Sequence, residues 1–272
     1  MALTSRYSRY SLLAYLATIL FVVPNLCYCF NPKLLNVSRI QTESGWSAAR
    51  ASWYGDPYGA GSNGGACGYE NDVSTPPYSS LITAAASSLF NSGAGCGICY
   101  QVKCTTHKAC SGNPVTVVVT DECPGCDPQS ILFDLSGTSF GTMSNSGEAG
   151  QLRNVGIQDI QYKRVACNFH GVSVAFRVDG GSNQNYFAVL ILFENGYGLS
   201  KVELKQAGYG GAWLPMQRSW GSVWRLNVGS GLQPPFSIRL TSGGGSGKTI
   251  VATNVIPADY ITGKTYRSTV NF

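Results

Sequence analysis

The stretch Val117–Gly137, VVVTDECPGCDPQSILFDLSG, places Asp121 and Asp134 on either side of a Cys-x-x-Cys. Three chemistries fit that pattern: a redox pair, a zinc site, or the carboxylates of a glycan hydrolase. A redox CxxC needs a helix N-terminus to lower its thiol pKa, whereas Asp127-Pro128 follows here, so a structural staple is the better reading of Cys123 and Cys126. Zinc wants four Cys or His ligands, and the chain has only His107 and His170 beside cysteines expected to oxidise. No metal or cofactor is expected. Glycosidases work with two acids held about 5 to 9.5 Å apart. Asp121 ends a β-branched run and Asp134 follows the apolar triplet ILF, so both are placed at strand ends facing one groove. From spacing alone, turn capping is the favoured reading of each.

The residues outward from this stretch set the compartment. Arg6 and Arg9 precede the apolar run Leu12–Val23. That run is shorter than the about 20 residues of a membrane span but suits a secretory signal. Residues 1–29 are read as that signal, with no transmembrane segment, and 30–48 as an N-terminal extension. Eight cysteines then remain in an oxidising compartment, where disulfides are the default. The sequon Asn36-Val37-Ser38 suits a secreted glycoprotein. Net charge is only +5, too little and too scattered for a nucleic-acid protein. With 33 Gly, 15 Tyr and 12% charged residues, the surface chemistry suits uncharged polyols such as glycans.

The length predicts two domains. VTVVVTD (115–121), KVELK (201–205) and FSIRL (236–240) read as strands, and SSLITAAASSLF (79–90) is the best helix candidate. All eight retained cysteines lie between Cys67 and Cys167. A linker-like NFHG (168–171) follows, then six or seven short strands of a β-sandwich. The boundaries are set at 49–168 and 169–272. Trp220 and Trp224, four apart in SWGSVWR, read as core.

Four motifs together resemble the β-expansins of plant cell walls: ASWYGDPYGAGSNGGACGY (51–69), GCGICYQVKC (95–104), TDECPGCDPQSILFDLSGTSFG (120–141) and WLPMQRSWGSVWRLN (213–227). The resemblance covers essentially the whole chain after the signal. It implies an all-β protein, a double-psi β-barrel followed by an immunoglobulin-like sandwich, secreted to the wall and monomeric. Such a protein loosens contacts among cellulose, xylan and mixed-linkage glucan without hydrolysis, so an enzyme is not expected. By resemblance, Asp134 is the barrel-site acid and Asp121 its companion, with Ser52, Trp53 and Tyr54 lining the groove and Tyr186 and Trp213 stacking on sugar rings. It also implies the pairs Cys67–Cys96, Cys99–Cys167 and Cys104–Cys110, leaving Cys123 and Cys126 for each other. Two positions depart from the family pattern: Leu132 replaces a histidine and Ser62 an aspartate. Asp56, two residues after Tyr54, sits near where related endoglucanases keep a base, although Asp56-Pro57 also reads as a turn. A weak endo-glycanase using Asp134 with Asp56 or Asp121, or a glycan-binding module without loosening activity, are the alternative readings.

Overall fold

The computed structural model describes residues 45–62, 64–127, 131–208, 211–229 and 231–272. The signal segment and Asn36 lie outside them. Six strands close a barrel: β1 (Ser47–Tyr54), β2 (Ile82–Ala86), β3 (Cys99–Lys103), β4 (Val115–Cys123), β5 (Phe133–Ser136) and β6 (Gln158–Val165). Their order is β1-β5-β2-β4-β3-β6, with β1/β5 and β2/β4 parallel and the remaining pairs antiparallel.

The segment expected to be helical is the centre of this barrel. Ile82–Ala86 is a fully buried strand, and only Ser87–Phe90 turns into helix. Alanine is the strongest helix former, but propensity is a weak bias that tertiary context overrides. Here Ala84, Ala85 and Ala86 are wedged between β4 and β5, where their small side chains leave room for the larger ones around them.

Nine strands follow: β7 (Ala175–Val178), β8 (Tyr186–Leu192), β9 (Leu199–Gln206), β10 (Leu214–Pro215), β11 (Gln217–Trp220), β12 (Val223–Asn227), β13 (Phe236–Ser242), β14 (Thr249–Ile256) and β15 (Thr265–Arg267). They form a four-stranded sheet, β10-β9-β13-β14, and a five-stranded sheet, β11-β12-β8-β7-β15. The extra strands over the six or seven expected are the shortest ones, too brief to show a period. Phe187, Val189 and Ile191 of β8 join Leu204, Phe236, Ile238 and Trp224 in the sandwich core. The alternate residues Ala188, Leu190 and Leu192 pack instead with the barrel core. Strand β8 is thus covered on both faces, which explains its unbroken apolar run YFAVLIL.

The seam between barrel and sandwich is aromatic. Tyr78 packs against Tyr69, Phe169 and Phe193 with ring centroids 5.3 to 5.5 Å apart. Phe169, in the stretch read as a linker, is therefore part of the packing. Arg177 of β7 adds ion pairs to Glu70 and Asp72 on the barrel side. Phe193 holds a left-handed backbone (φ 61°), rare for a bulky residue. The next residue, Glu194, is buried in the seam beside Tyr69, Arg218 and Ser222, and its Oε2 has no hydrogen-bond partner.

Four disulfides tie the barrel: Cys67–Cys96, Cys99–Cys167, Cys104–Cys110 and Cys123–Cys126. They are the pairs implied by the family resemblance. The CPGC cysteines close a loop at the end of β4.

Two expectations follow from the seam. Burial pushes the Glu194 carboxyl up to about 8, against the opposing pull of a backbone hydrogen bond from Gly198 and of Arg164 and Arg218. The folded state then holds a proton that the unfolded chain has lost, so stability is full below the ordinary glutamate pKa and falls as pH rises to about 8. Glu194→Gln should flatten this fall, which amounts to about 1 kcal/mol per pH unit inside the window; urea unfolding at pH 5 and pH 8 measures it. Gly221 has φ 48°, and a Cβ there would stand 2.6 Å from the Ala66 carbonyl oxygen and 2.7 Å from the Cys67 Cα. Gly221→Ala should therefore cost more than about 2 kcal/mol in the same assay.

Candidate functional site

Alternation along β1 sends Ser52 and Tyr54 to one face and Trp53 to the other. Ser52 is the register partner of Asp134 on β5, and its hydroxyl donates to Asp134 Oδ1 at 2.6 Å. On β2, Ala84 is opposite Asp134 on one side and opposite Asp121 on the other. The two carboxylates therefore flank one small residue, with their Cα atoms two strand spacings, about 10 Å, apart. Ala84 is the spacer that keeps a surface between them.

Their environments differ. Burial raises the Asp134 pKa above the ordinary carboxylate value, with the Ser52 hydrogen bond opposing the shift. Asp121 is held by donors: Oδ1 accepts from the Ala66 N–H at 2.6 Å and the Glu122 N–H at 2.8 Å, while Oδ2 faces the Ser62 hydroxyl at 3.4 Å. Ser62 thus offers the companion acid a long hydrogen bond where the family pattern has a carboxylate. Tyr54 lies near both acids. Burial first, and then the negative charges of Asp121 and Asp134, push its phenol up to about 12, so it stays a neutral hydroxyl. That hydroxyl is buried beside Ser62 without a hydrogen bond of ordinary geometry.

Trp53 supports the site from behind. Its indole N–H donates to the Arg153 carbonyl at 3.0 Å, and the Arg153 guanidinium donates to the Gly137 carbonyl just after β5. Asp56 is exposed and turned into its own loop, where its carboxylate accepts the Tyr58 N–H at 2.8 Å and its carbonyl accepts the Gly59 N–H at 3.0 Å. That is turn chemistry. The loop folds tightly because Gly55 and Gly61 meet with no room for a Cβ on either; one on Gly61 would stand 2.3 Å from the Tyr54 ring. Leu132 packs against the barrel core.

The aromatic positions of the sandwich divide differently from the expectation. Tyr186 of β8 belongs to the five-stranded sheet, on the face turned to the barrel. Trp213 lies across the outer surface of the four-stranded sheet, with the Arg239 guanidinium 4.5 Å from its ring centre, so the two rings do not share a face. The residue that does share Tyr186's face is Trp220. Register carries that face from Tyr186 and Asn227 through Ala188, Arg225 and Gln217 to Leu190, Val223 and Trp220. Trp220 is 51% exposed, whereas Trp224 is 7% exposed and buried in the sandwich core. The four-residue spacing suggested one shared face; a bulge in β11 and the Gly221-Ser222 turn place the two tryptophans on different strands and opposite faces.

Trp220 is also joined to the carboxylates through the chain. Its ring lies on Gly68, where a Cβ would stand 2.7 Å away, and the Ser222 N–H donates to the Cys67 carbonyl at 3.1 Å. Cys67 in turn donates its N–H to the Thr120 carbonyl, and Ala66 donates to Asp121. The segment Gly65–Gly68 thus bridges the end of β4 to the Trp220 turn. Among the described residues no cluster of three or more His, Cys, Asp or Glu is placed to hold a metal.

Comparison with known proteins matches both halves of the chain. Residues 174–257 fit the expansin C-terminal domain family, and residues 82–162 fit a barrel family described as lytic transglycolase. The chain is 55% identical to the putative expansin-B2 of Arabidopsis thaliana over 265 residues, 97% of each chain. It is 54% identical to rice expansin-B11, covering 86% of this chain and 80% of that one, and 46% identical to Arabidopsis expansin-B4 over the full length of both. A mutant expansin of Clavibacter michiganensis, solved in complex with cellohexaose, shares the fold with a TM-score of 0.63 at 23% identity, covering 83% of this chain and 97% of that one. Barrel, sandwich and relatives agree that the chain belongs to the β-expansin family, the non-hydrolytic loosening proteins of the plant cell wall.

Proposed function

We propose that the carboxylate face of the barrel and the Tyr186–Trp220 face of the sandwich form one open track on which a single neutral β-glucan chain lies. The supporting observation is the run of direct contacts from Asp134 through Ala84, Asp121 and the Gly65–Gly68 segment to Trp220. Flat aromatic faces stack on the apolar faces of pyranose rings with little loss of side-chain entropy. Asp134 hydrogen-bonds sugar hydroxyls, and the bound chain is drawn from its neighbours rather than cut. Cellohexaose bound to the bacterial expansin is consistent with cellulose-like chains as ligand, and xylan and mixed-linkage glucan present similar faces. The barrel unit is assigned to 49–168 and the sandwich to 169–272. In this reading residues 1–29 direct secretion, Asn36 is a glycosylation site, and the protein acts as a monomer.

One observation favours the endo-glycanase reading: Asp134 has the raised pKa of a general acid. What it lacks is a base. Asp121 is occupied by two backbone N–H donors and Asp56 by its own turn. Hydrolysis needs both partners.

Wall creep and released reducing ends, measured together, test the proposal. Asp134→Asn should lower creep severalfold, and neither form should release sugar from cellulose. Release that disappears in the variant would establish the glycanase. Trp220→Ala should weaken cellulose binding about tenfold, the worth of one stacked aromatic. Trp213→Ala should leave that binding within twofold.

A further inference from the structure

Trp213 stands apart from this track, and its surroundings have a chemistry of their own. Charge is divided unevenly along the chain: residues 49–168 hold nine acidic and six basic side chains, whereas 169–272 hold four acidic and nine basic. Three of those nine cations, Lys201, Lys205 and Arg239, point out from neighbouring strands of the four-stranded sheet. Glu203, the acid among them, is engaged by Lys201 and by Arg239, each at 2.7 Å. Lys205 has no carboxylate partner among the described residues. Its ammonium lies 6.0 Å from the Trp213 ring centre, on a ring already stacked on Arg239.

Next to Lys205 the sheet opens into a cleft of about 490 Å³, walled by Lys205, Gln206, Ser237, Thr253 and Asn254. A break in the β13/β14 register between Phe236 and Ile238 makes this opening, and Asn254 there holds a left-handed backbone with φ 47°. Such bulges re-aim side chains. The Ser237 hydroxyl accepts the Asn254 N–H at 2.9 Å and donates to its amide oxygen at 3.3 Å, which leaves the amide NH₂ as a donor at the cleft wall.

A flat ring, an ammonium beside it with no carboxylate partner among the described residues, and neutral hydrogen-bonding groups beyond are the complement of a pyranose that carries a carboxylate. We infer that the outer face of the four-stranded sheet, centred on Trp213 and Lys205, is a second binding site, specific for uronic-acid-bearing polysaccharide. It lies on the sheet opposite to the Tyr186–Trp220 face. The protein therefore holds an acidic matrix chain on one side and a neutral glucan on the other. Trp213 stacks on the sugar ring, Lys205 pairs with its carboxylate, and Asn254 and Thr253 take hydroxyls of the next residue.

The test is affinity electrophoresis of the whole secreted chain through gels containing polygalacturonate or its fully methyl-esterified form, with cellulose binding measured in parallel. The expected result is retardation by polygalacturonate, weakened by added salt and lost on esterification. Lys205→Gln should reduce the affinity about tenfold, as for one charge-assisted contact. Lys248→Gln, the same charge change at the far end of β14, should stay within twofold, and both variants should keep cellulose binding. Equal weakening by the two variants would reduce the effect to net charge and overturn the site. Absence of retardation by polygalacturonate would overturn it too. Retained cellulose binding separates this result from any failure of the glucan track, which Trp220→Ala probes alone.

Discussion

Everything at this site depends on four residues of backbone, Gly65 to Gly68, caught between two surfaces. On one side the segment is hydrogen-bonded to Thr120 and Asp121 at the end of β4. On the other it carries the Gly221-Ser222 turn and the Trp220 ring. Neither side tolerates a Cβ: one on Gly65 would stand 2.5 Å from the Thr120 carbonyl oxygen, and one on Gly68 2.7 Å from the Trp220 ring. Glycine here is a matter of close approach, and Cys67–Cys96 fixes the segment covalently to the turn before β3. Barrel and sandwich are registered against each other through this clamp, so the position of the aromatic platform relative to Asp134 is determined by backbone packing.

The same packing separates the roles of the acids. Burial raises the pKa of Asp134 against the opposing hydrogen bond from Ser52. Asp121 is held by two backbone N–H groups, which fix the clamp. With Oδ1 taken by two backbone donors and Oδ2 facing the Ser62 hydroxyl, this carboxylate is committed to its own loop. The barrel keeps the outline of a paired-acid centre while its second acid serves architecture, which fits the non-hydrolytic character of the family.

Much of this was legible in the residues. The alternation of KVELK and FSIRL pointed to the sandwich because that signal is local, whereas the barrel and the cysteine pairs were legible only through the four motifs that resemble the β-expansins. Three things were not. ITAAA looks helical because alanine propensity is local, while burial between β4 and β5 is not. Trp220 looked like core because the spacing of SWGSVW hides a bulge and a turn, features without a periodic signature. The resemblance groups Trp213 with Tyr186 because a motif match gives residue types but not which of two sheets carries each ring. NFHG read as a linker through its polar residues, although Phe169 alone decides that the stretch is packed.

The central claim is that one glucan chain occupies barrel and sandwich together. Hydrogen exchange of the protein with and without a soluble cello-oligosaccharide long enough to span the track tests this most directly. The account predicts that slowing appears in the strands around Ser52 and Asp134 and in the turn around Trp220 and Gly221 at the same ligand concentration. Protection confined to one of these segments, or reached at clearly different concentrations in the two, would show separate sites and contradict it.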